Sequence, residues 1–335
     1  MSGKHRVLSG KPGFLLLAVM LLATAGRSDA QQLPIYSQYL FNKFLINPAV
    51  AGSDGYTSIN LTAREQWLGY YGAPRTVSLS AQGRLLKRRF SITSRSRRNV
   101  FRPGSDGKVG IGGYVFSDRN GLIQRTGFQT SYSYHIWIQQ QTQLSFGLAL
   151  TGYHFKINER EIEFEDSDEP WMTNDLRRGI FVPDATFGAH IMNPNFTAGF
   201  SAEQLFQSLG KIGSDAYANF KMLRHYYLFG DYTFKTGFYT ELQPSFLFRM
   251  SEQVKPQADI GLMYIYKKEF WTGINYRTGN AVIANVGVQY QNFFFGYSFD
   301  FTLQEIQSIT YGTHEISIAL KYGDPRRKYR WLDRY

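Results

Sequence analysis

Residues 285–302 read NVGVQYQNFFFGYSFDFT, and this stretch decides the fold class. Apolar residues take every second position on both sides of Gln291-Asn292, and they are Val286, Val288, Tyr290, Phe293, Phe295, Tyr297, Phe299 and Phe301. Small and polar residues take the positions between them. Because side chains alternate between the two faces of a β-strand, the stretch predicts a tight hairpin with one aromatic face. That face meets either lipid or the core of a soluble sandwich.

The same alternation recurs along the chain and predicts about fourteen strands. They lie at residues 56–68, 75–86, 108–118, 122–138, 142–157, 183–192, 195–207, 222–236, 238–250, 256–266, 269–278, 280–291, 293–302 and 313–322. The alternation breaks near Gly152, because Tyr153, Phe155 and Ile157 continue on the other parity. We interpret the break as a bulge or as a strand leaving the membrane. The strand at 108–118 is too rich in glycine for its faces to be assigned.

The composition of the polar face favours lipid over a soluble core. A sandwich turns this face to bulk water and usually carries many lysines and glutamates there. Here the face is mostly Gly, Ser, Thr, Asn and Gln, with single charges such as Asp300 and Glu241. Small polar residues suit a crowded lumen, and strands of about ten residues in even number suit a membrane. The sequence therefore predicts an all-β transmembrane antiparallel barrel, with a soluble periplasmic sandwich as the rival fold.

The first thirty residues have the pattern of a signal peptide. Lys4, Arg6 and Lys11 precede an apolar stretch at 14–25, and small residues precede a cleavage site after Ala30. The chain has no cysteine, which excludes a lipobox, disulfides and thiolate metal sites. We expect an exported protein of the Gram-negative outer membrane. The predicted divisions are signal peptide 1–30, N-terminal segment 31–55 as a candidate plug, barrel 56–322 and periplasmic tail 323–335.

Strand parity orders the connections, if both termini are periplasmic as an even strand number predicts. Short turns such as Lys267-Lys268 and Gln291-Asn292 then fall on the periplasmic side. The longer segments 158–182, 208–221 and 303–312 fall outside the cell. Only the long connection 87–107 breaks this order.

Charge is concentrated in two basic segments and one acidic loop, in a chain whose formal net charge is +11. The segment from Arg84 to Arg102 has no acidic residue, and the tail GDPRRKYRWLDRY mixes arginines with aromatic rings. Such a mixture is enriched at protein interfaces, so the tail predicts a docking segment, whereas 84–102 is equally well a solvated loop. The candidate partner-binding residues are Arg88, Arg89, Arg95, Arg97, Arg98, Arg326, Arg327, Lys328, Arg330, Trp331, Arg334 and Tyr335.

Other binding classes are poorly supported. The acidic external loop at 159–169 includes EFEDSDE, which lacks the DxDxDG spacing of a calcium loop. Basic excess also suits nucleic-acid binders, but export argues against that partner. The chain has no GxSxG, HExxH or GxxxxGK motif, and its mature part spreads five histidines over different strands, namely His135, His154, His190, His225 and His314. We predict no enzyme, no cofactor and no metal site.

Several colinear stretches together resemble one family. They include QQLPIYSQYLFNKFLINPAVAGSDGYTSINLTAREQWLGYYGAPRT, SDRNGLIQRTGFQTSYSYHIW, PDATFG, RHYYLFGDY, FGYSFDFT, GTHEISIALKYGD and RRKYRWLDRY. Nearly end to end, the mature chain is similar to the PorP/SprF family of type IX secretion system outer-membrane proteins. The resemblance carries over no catalytic residue.

The resemblance implies an outer-membrane barrel that works in, or beside, the machine that exports proteins, including gliding adhesins, in Bacteroidota. Implied partners are outer-membrane lipid, periplasmic secretion proteins such as a lipoprotein of the peptidoglycan-binding type, and a secreted cargo or adhesin at the cell surface. The alternative function is a passive or fatty-acid-type channel, for which a lumen lined with Ser, Gln and Gly would serve directly.

Overall fold

The protein is a closed antiparallel β-barrel. The structure is a computed structural model that describes residues 35–85, 108–139, 142–157, 179–207, 209–211, 219–252, 254–279 and 281–322. Its strands are β1 (Thr57–Glu65), β2 (Arg75–Leu85), β3 (Val109–Asn120), β4 (Ile123–Gln139), β5 (Thr142–Ile157), β6 (Ile180–Met192), β7 (Phe196–Glu203), β8 (Leu209–Lys211), β9 (Asn219–Lys221), β10 (His225–Tyr232), β11 (Phe234–Lys235), β12 (Thr240–Ser251), β13 (Gln257–Tyr266), β14 (Phe270–Arg277), β15 (Ala281–Tyr290), β16 (Phe293–Thr302) and β17 (Thr313–Tyr322).

Two pairings close the ring. The first and last strands, β1 and β17, pair from Thr57 opposite Tyr322 to Glu65 opposite His314. Strand β10 pairs with both β7 and β12, so β8 and β9 form a separate two-stranded sheet outside the ring. Counting β10 and leaving out the two-residue β11, fourteen strands form the barrel. The predicted fourteen-stranded antiparallel barrel is confirmed.

The apolar face of each strand points outward. On β16, Phe295 is 43% exposed whereas Ser298 is fully buried, and on β17 Ile316 is 53% exposed beside Ser317 at 1%. A protein in water buries its large apolar side chains, and this barrel does the reverse with whole faces. An apolar band around a barrel with a polar interior is the arrangement that lipid requires. Within the described residues, no helix has the length and apolar character needed to cross a membrane.

The bulge predicted near Gly152 is wrong, whereas the alternative, that β5 leaves the membrane there, stays a prediction. Strands β4 and β5 pair without a shift from Ile123 opposite Ile157 to Trp137 opposite Gln143. Tyr153 therefore lies on the inner face, where it is buried. The same alternate positions face the lumen on both sides of Gly152. The residues at these positions change from small to aromatic, and sequence alternation alone cannot distinguish such a change from a change of face.

The barrel has two ends, called the near end and the far end. The near end carries Thr57, Leu85 and Tyr322, where β1 starts and β2 and β17 end. The far end carries Glu65 and Thr313. The turn Lys267-Lys268 lies at the near end, and both of its residues adopt the left-handed conformation, with φ of 54° and 57°.

The outward face provides a test of lipid contact on a single strand. We expect Val286→Arg, near the middle of β15, to lower the free energy of unfolding by about 2–4 kcal/mol because an arginine would sit deep in the bilayer. The same change at Tyr290, at the end of that strand and on the same face, should cost only about 0–1 kcal/mol. Urea unfolding in lipid vesicles measures both. Equal costs at the two positions would argue against a membrane around β15.

Candidate functional site: the lumen of the barrel

Residues 35–56 lie inside the barrel. They include the described part of the candidate plug and are called the N-terminal segment. The segment contains two short 3-10 turns, Lys43–Leu45 and Pro48–Val50. Phe44, Asn47 and Ala49 are fully buried. Phe44 belongs to an apolar cluster with Phe229 of β10 and Leu247 of β12, so the segment packs against the inner wall as a core element would.

Inward glycines leave room for the backbone of the segment. A Cβ atom at Gly147 would collide with the backbone of Pro48 and Ala49, and one at Gly110 would collide with the carbonyl of Ala51. At Gly112 an added Cβ would lie 2.7 Å from the ring of Phe44. Glycine inside a strand commonly marks such close approach of another backbone. Two of the three glycines in 108–118, Gly110 and Gly112, therefore reflect contact with the N-terminal segment.

Polar groups of the segment also form hydrogen bonds with the inner wall of the barrel. The Asn47 side chain donates from Nδ2 to the carbonyls of Ala189 and Phe200, at 3.0 and 3.1 Å, and its Oδ1 accepts from the backbone N–H of Ala49 at 2.9 Å. The hydroxyl of Ser133 donates to the carbonyl of Ala51 at 2.6 Å. Buried polar groups cost free energy unless they are bonded, so these pairs fix the position of the segment.

A buried ion network lines the lumen toward the far end. Arg277 contacts Asp259 at 2.9 Å and Asp300 at 3.2 Å, and Arg249 contacts Asp259 at 2.7 Å. The network balances three arginines with three carboxylates. Its members are Arg249 of β12, Asp259 of β13, Arg277 of β14, Asp300 of β16, Glu315 of β17 and Arg64 of β1.

The network also binds the N-terminal segment. Glu315 accepts from the backbone N–H groups of Ser37 and Gln38, at 2.8 and 2.9 Å. The hydroxyl of Ser37 donates to Asp300 at 2.6 Å and accepts from Arg64 at 2.7 Å. Charge-assisted hydrogen bonds of this kind are stronger than neutral ones. The start of the described segment is therefore held by buried charges.

The segment crosses the lumen from the far end toward the near end. Ser37 lies within the far-end network, Lys43 contacts Asp231 of β10 at 2.6 Å, and Gly52 lies beside Gly83 of β2 close to the near end. Burial raises the pKa of the Tyr39 hydroxyl above its usual range, so this group stays neutral inside the lumen. That both termini share one side of the membrane stays a prediction, since Ser37 and Tyr322 lie toward opposite ends.

Aromatic residues narrow the far end of the lumen. Phe116, Tyr153 and Met222 form an apolar cluster with Val182. Arg125 lies over the rings of Phe116 and Tyr153, at 5.6 and 5.9 Å, and its guanidinium contacts Asp118 at 3.1 Å. Cation–π contacts of a buried arginine stabilise such a cluster.

All twelve residues predicted to bind partners lie outside the described part of the chain. These are Arg88, Arg89, Arg95, Arg97, Arg98, Arg326, Arg327, Lys328, Arg330, Trp331, Arg334 and Tyr335, and the acidic loop 159–169 and the signal peptide 1–30 lie outside it as well. Arg84, at the start of the basic segment, is described and lies 6.0 Å from the ring of Trp137.

The histidines do not form a common site. His135 is buried and bonded to Ser145 at 2.7 Å, whereas His314 bonds to Tyr297 on the outer face. No group of three or more metal-ligating side chains is arranged for a metal ion in the ranges that the structure covers.

Sequence reasoning missed the ion network. Its signal is present in hindsight: acidic and basic residues share the polar face of neighbouring strands at the same end.

A closed barrel with an apolar exterior, a polar inner wall and its own chain inside the lumen defines an integral membrane β-barrel of the outer-membrane type. The sequence profile of the type IX secretion system membrane protein family PorP/SprF matches residues 28–320. The chain belongs to the PorP/SprF family, and it is an outer-membrane barrel of the type IX secretion system. No curated protein matches the sequence.

Three solved structures are similar to this chain at low sequence identity and with TM-scores below 0.5. The toluene transporter TbuX of Ralstonia pickettii has 10% identity and a TM-score of 0.44, covering 83% of this chain and 92% of its own. Omp33 of Acinetobacter baumannii has 6% identity and a TM-score of 0.42, covering 81% and 100%. A deletion mutant of the monoaromatic hydrocarbon channel TodX has 8% identity and a TM-score of 0.46, covering 84% and 94%. The family match and the barrel itself carry the assignment.

Proposed function

We propose that this protein is a non-enzymatic anchor of the type IX secretion machinery, which holds periplasmic machine components, a secreted surface protein, or both. The observation that carries the proposal is the occupied lumen. Inward glycines, the wall carbonyls that accept from Asn47 and the ion network all accommodate the N-terminal segment, so the interior serves to fix part of the chain. A rigid barrel filled in this way suits a scaffold.

The alternative, a passive or fatty-acid-type channel, needs a continuous path through the barrel. The N-terminal segment crosses that path, and the cluster around Phe116 and Tyr153 narrows it further. Both features favour the scaffold. In this proposal residues 31–55 act as a plug that belongs to the folded state.

The near end is the proposed periplasmic face for docking. The basic segment 84–102 begins where β2 ends at Leu85, and the tail 323–335 begins where β17 ends at Tyr322. Both therefore attach to the same end of the barrel. Their positive charge suits acidic partners, and rings among arginines are typical of residues that dominate binding at interfaces. In this orientation the connections at the far end lie at the cell surface, where they hold cargo or an adhesin.

Deleting residues 324–335 is the test of the docking role. We expect the deletion to abolish recovery of periplasmic machine proteins when the barrel is captured from cross-linked cells. The barrel should keep its heat-modifiable mobility on gels, because these residues follow the last barrel strand. A matched variant that changes only Arg326, Arg327, Lys328 and Arg330 to glutamine separates charge from length. Unchanged recovery with the deletion would refute the role of the tail.

A further inference from the structure

We propose that a cavity in the lumen, between the N-terminal segment and the inner wall, binds a small neutral phenol as a free molecule. The cavity has a volume of about 120 Å³. Its lining runs from Lys268 and Lys321 at the near end to Asn275 and Asn285 deeper in the lumen. An apolar protein cavity of about 150 Å³ accommodates a benzene molecule, so this one has room for a single ring. The site does not depend on the proposed docking of partner proteins.

Three aromatic side chains of the lining favour a flat ring as the ligand. Phe41 of the N-terminal segment lies 6.1 Å from the ring of Trp271, which lies 6.5 Å from the ring of Phe294. A Cβ atom at Gly287 would collide with the indole of Trp271, so this glycine lets the indole lie against β15. Aromatic rings favour offset or tilted contacts with centroids 4.5–7 Å apart. The rings of the lining are therefore already arranged for contact with one more ring.

The lysines of the lining are balanced by carboxylates. Each lysine has an acidic counterpart, namely Asp231 at 2.6 Å for Lys43, Asp54 at 4.0 Å for Lys321, and Glu241 on the same lining for Lys268. An ionised ligand would leave water for a site that offers it no uncompensated charge, and burying a charge without a partner costs free energy. The balance of charges therefore favours a neutral ligand.

A buried acceptor in the lining calls for a hydrogen-bond donor on the ligand. Oδ1 of Asn285 has no hydrogen-bond partner among the described residues, and the amide nitrogen of the same side chain donates to Oδ1 of Asn275 over a long distance of 3.5 Å. Both asparagines are buried and line the cavity. A buried polar atom without a partner costs free energy, so a ligand that donates to Asn285 removes this cost. A hydroxyl group supplies such a donor and remains neutral.

The depth of the site favours a free molecule over the side chain of a partner protein. Asn285 lies five residues from Tyr290, where β15 ends at the near end. Five residues of an antiparallel strand span about 17 Å, which is much longer than any aromatic side chain. A tyrosine of a protein bound outside the barrel therefore does not reach Asn285, whereas a free phenol does.

The test is equilibrium dialysis of phenol and of toluene against the mature protein in nanodiscs, with protein-free nanodiscs as the blank for partition into lipid. We expect phenol to bind saturably, at one molecule per barrel. The two ligands are similar in size, but only phenol can donate to Asn285. In Asn285→Leu, the ratio of the two dissociation constants should shift about tenfold against phenol, because one buried hydrogen bond contributes a difference of that order. Comparing ratios cancels the greater apolarity of toluene.

Asn60→Leu is the matched control, since Asn60 is also buried on the inner wall and does not line this cavity. Its ratio should equal that of the native protein. Met263→Trp, which fills the cavity from β13, should abolish saturable binding of both ligands. Heat-modifiable mobility on gels verifies that each variant is folded.

An unchanged ratio in Asn285→Leu would overturn the proposal, as would saturable phenol binding that survives Met263→Trp. Phenol binding that does not saturate in the native protein would also overturn it and would mean that the cavity holds only water. Benzoate binding as tight as that of phenol would contradict a neutral ligand. Equally tight binding of a neutral hexapeptide with one tyrosine would contradict a free molecule and indicate a protein partner.

Discussion

Replacing Gly147 and Gly188 together with alanine is expected to expel the N-terminal segment from the lumen. New Cβ atoms at these positions would collide with the backbone around Ala49 and the side chain of Asn47. Overfilling a well-packed interior typically costs about 1–3 kcal/mol per site. Since Lys43 is buried in the lumen, we expect the native protein to resist trypsin at this residue and the double variant to be cleaved there. Mass spectrometry of the released fragment measures the effect.

Gly230→Ala is the matched control for this experiment. Gly230 lies on β10, and the atoms nearest to an added Cβ belong to the ring of Phe246, an exposed side chain on the outer face that can move aside. This variant should remain resistant at Lys43. Resistance of the double variant as well would mean that the inward glycines do not hold the segment in place.

Arg277→Ala is expected to produce the second large effect, a loss of about 3–5 kcal/mol in the free energy of unfolding. Arg277 lies between Asp259 and Asp300, and all three side chains are buried. Removing the central guanidinium leaves two carboxylates less compensated in a medium of low dielectric constant. The same change should loosen the N-terminal segment, because Asp300 also accepts from the hydroxyl of Ser37. Urea unfolding in lipid vesicles measures the loss.

Arg75→Ala provides the comparison, since it removes an arginine from an ion pair that faces solvent. Arg75 contacts Glu65 at 2.8 Å, but its side chain is 63% exposed. Exposed pairs contribute about 0–1 kcal/mol, so this variant should unfold close to the native midpoint. If Arg277→Ala and Arg75→Ala were equally mild, the buried network would not be a determinant of stability.

Much of the fold follows from period-two alternation. The strand number follows from the alternation along the chain, and the outward face of β16 follows directly from the spacing in residues 293–302, because a strand between lipid and a polar lumen must alternate strictly. The assignment of strand faces from the sequence failed where the inner face carries residues other than small polar ones. Tyr153 faces inward within an aromatic cluster, and the glycines at 110 and 112 face the N-terminal segment. Both depend on contacts between residues distant in sequence, which a local pattern does not contain.

The site was less accessible from the sequence than the fold. The sequence predicts 31–55 as a candidate plug, but nothing in that stretch specifies Gly147 or Gly188 as its neighbours. The ion network brings Arg64 together with Glu315, which are joined only when the first and last strands pair. The basic tail is the reverse case: its role was predicted from composition and stays a prediction, because it lies outside the described residues.

Conductance of the purified mature protein in planar lipid bilayers tests whether the N-terminal segment closes the lumen. We expect the native barrel to give no steady ohmic current above that of a protein-free bilayer. The Gly147→Ala and Gly188→Ala double variant, in which the segment is displaced, should conduct and so prove that the barrel has inserted. A steady current from the native protein, equal to that of the double variant, would contradict the scaffold and support the channel.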